Sequence, residues 1–429
     1  MEHLVDDDTQ DVGMNGAGVG SIRRRRIIYV SGYDPRGPQG YFELFRRTCE
    51  RSQRLWPVSF TLRPHEIESE DFAHWRLDMS GAGWLTTTHY DFLRLERFIR
   101  SDVAASTARQ ILRGLAWLAD DVASGALLRI FRASWRFGAH LLFFQLLLLA
   151  WIAVVSATAI VVGRVLGGYF GFPLWAAIVG ALLAGILVTV ALRPIADKWL
   201  LMQISNSWTN SRRFGRGLPT WLDAAVDAGA RRAIAVARAN EADELVVVAH
   251  SSGCVIASAI VARALELEPD LGKNGPRLVL LTLGSVMPAV ALHPAAQRMR
   301  AIVGKLAVAN SLAWIDCQAS KDVMCFADFD PVAGIGLRVG KDRCNPRRWP
   351  ISFKDMIAPA KYARFRRNYF RMHYQYIMGG DRRAPYDYLL LVGGPAPIAQ
   401  WPNRAPELTI AFADGRAKAE CWSATAAPQ

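Results

Sequence analysis

A serine flanked by small residues stands between an aliphatic run and an alanine-rich run in the second half of the chain. The segment Ala249-His250-Ser251-Ser252-Gly253 follows the apolar run 244–249 and precedes a helical stretch at 252–267. A nucleophilic serine on a tight turn between a strand and a helix requires small residues two positions before and after it. The segment therefore predicts that Ser251 is a nucleophile. The alternative interpretation is a tight turn that carries no chemistry.

Such a serine requires a base, and the few histidines of the chain leave little choice. Where the nucleophile lies on a turn of this kind, the acid and then the histidine follow it along the chain. Of the eight histidines, six precede Ser251, and only His293 and His373 follow it. His293 comes ten residues after the strand predicted at 277–283, ahead of the last acid-bearing strand, which is too early. Elimination therefore predicts His373 as the base.

The acid that orients the histidine is expected just past a later strand. Asp322 lies five residues beyond the strand predicted at 311–317, which is the expected place. In the predicted triad its carboxylate orients His373 and stabilises the imidazolium. Other acids lie close by, and Asp330 is the next choice among Asp316, Asp328 and Asp330. The alternative role of each is that of a turn or capping residue.

Two backbone amides are predicted to stabilise the negative charge that develops on the reacting carbonyl oxygen. The amide of Ser252 lies at the predicted N-terminus of a helix, where N–H groups favour anions. The second donor is expected after the early strand at 26–30, where Gly32 allows the backbone to approach a substrate closely. The amide of Gly32 or of Tyr33 is the candidate. The alternative is an ordinary glycine turn.

The elements that must position these residues alternate between strands and helices. Apolar runs typical of strands occur at 26–30, 58–62, 75–79, 85–88, 244–249, 277–283 and 311–317. Helical patterns occur at 41–54, 91–99, 105–131, 195–208, 219–239 and 252–267. Because the strands of the second half are apolar on both faces, the pattern favours a mainly parallel sheet with helices on both sides.

Two long apolar runs in the middle of the chain predict a transmembrane hairpin. The runs at 141–163 and 172–192 each reach the roughly 20 apolar residues that cross a bilayer core. Arg164 is the only formally charged residue between Arg136 and Arg193. The alternative is a pair of buried core helices. Basic residues concentrate outside the hairpin, at Arg129, Arg132, Arg136, Arg193, Lys198, Arg212, Arg213 and Arg216, which predicts cytoplasmic termini.

Composition and charge narrow the classes of function. The 429-residue chain is 52% hydrophobic and carries a formal net charge of +13. Its basic residues form short clusters without a zinc-finger, basic-helix or aromatic RNA-binding pattern, so an anionic leaflet explains the charge better than nucleic acid does. Six scattered cysteines, without histidine–cysteine spacing for a metal, favour neither a disulfide framework nor a zinc site. No cofactor is expected.

These features divide the chain into five parts. A flexible N-terminal tail is predicted at 1–22, the first part of the soluble domain with its approach helices at 23–135, and the hairpin at 136–200. The catalytic core is predicted at 201–415 and a C-terminal tail at 416–429. Within the core, the basic and irregular tract 332–369 is interpreted as a lid or a membrane-contact loop.

The chain resembles the α/β-hydrolase superfamily, and within it lipase- or esterase-like bacterial membrane proteins. The resemblance rests on the segments 27–32, 246–253 and 280–285, with Asp322 and His373. It implies a sheet of the eight-strand type and a triad of Ser251, Asp322 and His373. The chain departs from the pattern at Ala249, where the motif has its first glycine. A second departure is that the hairpin is inserted ahead of the nucleophile.

The sequence therefore predicts a membrane-anchored serine hydrolase that cleaves a carboxylic ester or thioester of a lipid-like acyl substrate. An acyltransferase would use the same residues, and a non-catalytic membrane scaffold on a hydrolase fold is the alternative from another class. A transporter is not favoured, because the spans contain no charge that could form an ion path. The expected partners are the acyl substrate and membrane lipids, with the catalytic domain on the cytoplasmic side of the inner membrane if the protein is bacterial.

Overall fold

The computed structural model describes residues 21–415 as a mixed α/β fold around one nine-stranded sheet. The strands are β1 (Arg24–Val30), β2 (Ser59–Leu62), β3 (Glu66–Ile67), β4 (Phe72–Gly81), β5 (Trp84–Leu93), β6 (Glu244–His250), β7 (Arg277–Leu283), β8 (Leu312–Ala319) and β9 (Arg347–Ile351). Their order is β2-β4-β5-β1-β6-β7-β8-β9, and β3 pairs with β4. The strands from β5 to β9 in this order are parallel, whereas β2, β3 and β5 pair with β4 in antiparallel fashion. The prediction of a mainly parallel sheet is confirmed.

Helices form the rest of the regular structure. They are α1 (Gly37–Gln53), α2 (Glu96–Val103), α3 (Thr107–Ala123), α4 (Ala126–Ala133), α5 (Trp135–Arg164), α6 (Leu174–Lys198), α7 (Leu201–Gly215), α8 (Trp221–Ala239), α9 (Gly253–Leu267), α10 (Met287–Ala291), α11 (Gln297–Ala307), α12 (Phe353–Met356), α13 (Pro359–Phe365), α14 (Tyr369–His373), α15 (Tyr388–Gly393) and α16 (Trp401–Ala413). A π-helical segment, Val165–Tyr169, follows α5. Single 3-10 turns occur at Ala333–Ile335, Gly340–Asp342, Tyr374–Ile377 and Ile398–Gln400.

The sheet is covered on both faces. Along β6, Val247 packs into one hydrophobic core, whereas Val246 and Val248 pack into the other. Helices α8, α9 and α11 cover the first core, and α1, α15 and α16 cover the second. Every residue of β6 is buried. This double-sided burial is the reason that the strands of the second half are apolar throughout rather than alternating.

The helix predicted at 91–99 is wrong at its start. Strand β5 runs on to Leu93, because Asp91 and Phe92 pair with Ile28 and Tyr29 of β1. Helix α2 begins only at residue 96. The polar Asp91 resembled a helix start, but its buried carboxylate instead forms an ion pair with a neighbouring arginine on β1.

Two segments predicted as single helices are broken. The stretch 105–131 forms α3 and α4, which are separated at Gly125, whose φ of 69° suits a glycine. The stretch 195–208 does not continue the second apolar run as one helix. Helix α6 ends at residue 198, and Leu200 adopts a left-handed φ of 55° before α7 begins.

The tract 332–369, predicted as a lid or membrane-contact loop, contributes an edge strand to the sheet. Strand β9 pairs in parallel with β8, and Ile351 lies beside Ala319. Pro350 lacks a backbone N–H, which restricts such a strand to the edge of a sheet. Because Arg347 and Arg348 are exposed and charged, the strand does not form an apolar run in the sequence.

The predicted tails, 1–22 and 416–429, lie outside the described residues except for Ser21 and Ile22. Ile22 is buried, and its N–H donates to the carbonyl oxygen of Pro395 at 2.8 Å. Its own carbonyl accepts from Thr86 Oγ1 at 2.9 Å. Ile22 therefore belongs to the folded domain, which corrects the predicted boundary.

Two helices of the structure, Trp135–Tyr169 and Leu174–Lys198, are long and apolar enough to cross a membrane. They pack against each other, and small residues permit close contact: a Cβ on Gly163 would lie 3.3 Å from the Cβ of Ala181. Only 11% of the most apolar stretch of either helix is buried. Core helices of a soluble protein would be covered, so this exposure argues against that alternative.

A fully buried ion pair closes the amino end of the sheet. Arg25 Nε lies 2.7 Å from Glu244 Oε2, and neither side chain is exposed. The guanidinium also donates to the carbonyl oxygens of Gly394 and Ala396 at 2.7 and 2.8 Å. Glu244 Oε1 accepts from the N–H of Ile398 at 3.0 Å. The pair therefore ties β1 and β6 to the segment that follows α15.

We expect Glu244→Ala to lower the free energy of unfolding by about 3–5 kcal/mol, because it leaves the Arg25 charge buried without its partner. Thermal denaturation of the detergent-solubilised protein measures the change. The control is Arg24→Ala, which removes only a solvent-exposed pair with Asp243 at 3.8 Å and should cost less than about 1 kcal/mol. Equal losses in the two variants would contradict a structural role for the buried pair.

Candidate active site

Ser251 occupies a strained turn between strand β6 and helix α9. Strand β6 ends at His250 and α9 begins at Gly253. Ser251 has a φ of 61°, in the left-handed region that side chains other than glycine rarely adopt. Its N–H donates to the carbonyl oxygen of Leu283, at the end of β7, at 3.0 Å. Strain of this kind costs about 1–3 kcal/mol and clusters at functional sites, where the surrounding structure enforces it.

Two glycines allow this turn to lie against the end of β1. A Cβ on Gly253 would lie 2.5 Å from the carbonyl oxygens of both Val30 and Ser31. A Cβ on Gly32 would lie 3.2 Å from the Cβ of Ser251. The small residue two positions after Ser251 is therefore required by backbone contact, which is the physical basis of the sequence pattern.

His373, on α14, and Asp322, which follows β8, come together at the carboxyl end of the parallel strands. His373 Nδ1 lies 2.7 Å from Asp322 Oδ2, and both side chains are buried. The second carboxylate oxygen accepts from the N–H of Met324 at 2.9 Å, which holds the carboxylate in place. With Nδ1 donating to the carboxylate, Nε2 carries the lone pair.

The other ring nitrogen of His373, Nε2, is buried and free of hydrogen bonds to the described residues. His373 and Ser251 line the same cavity. No hydrogen bond joins Ser251 Oγ to Nε2 in this conformation, a looseness that is common in catalytic sites without substrate.

The alternative acids lie elsewhere and have structural partners. Asp330 Oδ1 accepts from the N–H groups of residues 332 and 333 at 2.9 and 3.0 Å, and its carboxylate pairs with Arg343 at 2.8 Å. Asp316 accepts from Thr282 Oγ1 and from Gln318 Nε2. Burial raises the pKa of Asp316 despite these hydrogen bonds. Of the candidate acids, the structure brings Asp322 to His373.

His293, the other histidine that follows Ser251, is also occupied. Its Nε2 lies 3.1 Å from Asp120 Oδ2, and its Nδ1 accepts from the N–H of Ala295 at 3.0 Å. It does not line the cavity that contains Ser251. The elimination of His293 by its position in the chain thus agrees with its place in the fold.

The predicted oxyanion donors surround Ser251, but one of them is engaged. Ser252 is the N-cap of α9. The N–H of Tyr33 donates to Ser252 Oγ at 2.9 Å, so the Tyr33 amide is not the free donor that the sequence suggested. Gln203 Nε2 donates to the carbonyl oxygen of Tyr33 at 2.7 Å. Tyr33 therefore connects the loop after β1 to both α9 and α7, and Gly32 remains the candidate donor from this loop.

His250, which was excluded as a base because it precedes the serine, contacts His373 directly. Its Nε2 lies 2.9 Å from the carbonyl oxygen of His373, and the two rings are 4.5 Å apart between centroids. Burial, together with the nearby His373, lowers the pKa of His250 well below its usual value, so its ring is neutral. His250 therefore packs against both the ring and the backbone of His373, and its position next to Ser251 in the sequence was the only local sign of this contact.

A polar cluster at the cavity wall was missed by the sequence analysis. Asp34 Oδ2 accepts from Arg36 Nε at 2.8 Å, from Tyr374 Oη at 2.6 Å and from Tyr41 Oη at 3.2 Å. The guanidinium of Arg36 also lies 4.6 Å from the centre of the Tyr374 ring. Burial would raise the pKa of Asp34, but the Arg36 partner outweighs it and lowers that pKa. Since 340 positions separate Asp34 from Tyr374, no local pattern could reveal the cluster.

The cavity that these residues share has a volume of about 460 Å³, within the range of ligand-binding sites. Its polar lining includes Ser251, His373, Asp34, Arg36 and Tyr374. Its apolar wall is formed by Phe137, Leu141, Leu200, Ile204, Met324 and Phe370. His140, at the start of the hairpin, also lines it. The cavity therefore places Ser251 and His373 together with apolar side chains.

No protein-family model, curated protein or solved structure matches the chain. Within residues 21–415, no group of three or more His, Cys, Asp and Glu side chains could hold a metal ion. The function is therefore inferred from the side chains around Ser251.

We expect Gly253→Ala to lower the free energy of unfolding by about 1–3 kcal/mol, because the new methyl group would overlap the carbonyl oxygens of Val30 and Ser31. Thermal denaturation in detergent reports the loss. The matched control is Gly168→Ala, where an added Cβ meets no heavy atom within 4 Å. If both substitutions leave the melting temperature unchanged, the turn does not pack against β1 as described.

Proposed function

We propose that this protein is a membrane-anchored serine hydrolase of the α/β-hydrolase type, with Ser251 as nucleophile, His373 as general base and Asp322 as the acid that orients it. The observation that carries the proposal is the buried His373–Asp322 contact of 2.7 Å beside a strained Ser251 in one cavity. The substrate is a carboxylic ester or thioester with an apolar acyl group, which suits the apolar wall.

The chemistry follows from the positions of the groups. Ser251 Oγ attacks the substrate carbonyl carbon while its proton passes to His373 Nε2, which has no competing hydrogen-bond partner within the described chain. The oxyanion accepts from the Ser252 amide at the N-terminus of α9 and from Gly32. The bond to the alkoxide or thiolate then breaks, His373 returns the proton to this leaving group, and water hydrolyses the acyl-enzyme by the same route.

Each group contributes through its surroundings. The Asp322 carboxylate stabilises the imidazolium formed when His373 takes the proton, and a single oxyanion donor is typically worth about 3–4 kcal/mol of transition-state stabilisation. The turn at Ser251 fixes the nucleophile before substrate arrives, so less orientational entropy is lost during the reaction.

The hydrolase-type fold is supported by the placement of the nucleophile after a central parallel strand and by the helix that follows it. The chain leaves the sheet after β5 and returns at β6, and the hairpin lies within this excursion. The basic residues outside the hairpin support an orientation with both termini and the catalytic domain in the cytoplasm.

We expect a small fluorophosphonate probe to label the purified wild-type protein and Ser251→Ala to lose the label, because phosphonylation requires the activated serine oxygen. The control is Ser258→Ala on α9, the helix that follows the Ser251 turn; the Ser258 Oγ contacts Met287 Sδ, and the variant should label like the wild type. An unlabelled but folded wild-type protein would sink the proposal and favour a non-catalytic scaffold.

We expect Asp322→Asn to lower kcat for a short soluble ester by about 10³–10⁴-fold, because the amide cannot stabilise the imidazolium and favours the wrong tautomer. Asp330→Asn should change kcat by less than about threefold, since Asp330 caps a turn and pairs with Arg343. Steady-state kinetics on both variants decides between the two acids. A larger loss in Asp330→Asn would reverse the assignment.

A further inference from the structure

Residues at and next to the base of the hairpin form part of the apolar lining of the cavity. Phe137 and Leu141 lie on α5, within its first two turns. Leu200 and Ile204 follow the end of α6 at the start of α7. The cavity lining therefore includes the base of α5 and the start of α7, the helix that follows α6.

The two helices of the hairpin carry the surface that faces away from the protein. On α5, Leu146 is 55% exposed, and on α6, Leu187 is 70% exposed. In the proposed membrane-anchored arrangement hydrocarbon covers these exposed spans, and Leu141 then lies both at the start of the apolar run and in the cavity lining.

The cavity lining combines polar and apolar side chains. Ser251 shares the lining with His373, Asp34, Arg36 and Tyr374, and the base of the hairpin adds the apolar Phe137 and Leu141 beside the polar His140. An acyl chain lying toward the hairpin would bring its carbonyl to Ser251, and burying it gains about 0.8 kcal/mol for each methylene removed from water.

We infer that the cavity binds the acyl chain of a lipid ester that resides in the bilayer and that enters between the bases of α5 and α7. The inference rests on the proposed hydrolase function and specifies its substrate class. Its occupant is a membrane lipid rather than a soluble thioester, because the cavity lining includes Phe137 and Leu141 at the base of a helix that is long and apolar enough to cross a membrane. The side chains of Ile204 and Leu141 limit the space that is available to the acyl chain.

The test uses the full-length protein reconstituted into phosphatidylcholine vesicles. A hexadecyl fluorophosphonate dissolved in the same bilayer and a water-soluble ethyl fluorophosphonate are compared by their rates of Ser251 labelling. In Ile204→Trp the larger side chain fills the part of the cavity next to residue 204. The ratio of long-chain to short-chain labelling should therefore fall at least tenfold. The control Leu146→Trp adds the same side chain to an exposed position of the span and should leave the ratio unchanged.

The outcomes separate this inference from the proposed function. If neither probe labels the wild-type protein, the hydrolase proposal itself fails. If both probes label it but the ratio is unchanged in Ile204→Trp, or falls equally in Leu146→Trp, the acyl site is elsewhere. Ile204→Phe, a smaller enlargement, should lower the ratio by an intermediate factor and serves where the tryptophan variant does not fold.

A second arm distinguishes the source of the chain. Wild-type protein in vesicles is given either a long-chain lipid ester in the same bilayer or a long-chain acyl thioester of coenzyme A in solution. We expect faster turnover of the bilayer ester. Faster turnover of the soluble thioester would overturn entry from the membrane.

Discussion

The close contact between the Ser251 turn and the end of β1 is the constraint on which the site depends. Gly253 must approach the carbonyl oxygens of Val30 and Ser31, and this contact holds Ser251 in its left-handed conformation. The fold tolerates this strain because β1, β6 and β7 are paired along their length and buried on both faces. Ser251 is therefore held at the carboxyl end of a rigid central strand. The segments that carry Asp322 and His373 need only reach the same end of the sheet.

Helix α7 links the hairpin to this end of the sheet. Its side chain Ile204 lines the cavity, and Gln203 donates to the carbonyl oxygen of Tyr33, in the loop that carries Gly32. At its other end, Arg212 is buried against Asp121 and lies 3.7 Å from Asp120 on α3. Burial lowers the pKa of Arg212 to about 10, so it is still charged at neutral pH and holds α7 to α3. Helix α7 thus connects the hairpin to the loop after β1, in addition to the residues of α5 that line the same cavity.

Patterns in the sequence were informative where burial was uniform. Strand β7 was predicted with its observed bounds, and β6 and α9 within a residue or two, because strands apolar on both faces and an alanine-rich helix leave few alternatives. The edge strand β9 was missed, since one of its faces is exposed and polar. The start of α2 was misplaced because Asp91 is polar for a tertiary reason, its pair with Arg26 on a neighbouring strand.

By itself the sequence determined the mixed α/β class, the two apolar helices and the residues proposed as nucleophile, base and acid, because each depends on local composition or on order along the chain. Only the tertiary structure decided that Asp322 rather than Asp330 meets His373, that Tyr33 is engaged, and that His250, Asp34 and the hairpin base belong to the site. These relations join residues up to 340 positions apart. Hydrogen bonds and packing across such separations are set by how the sheet and helices assemble, which no local pattern encodes.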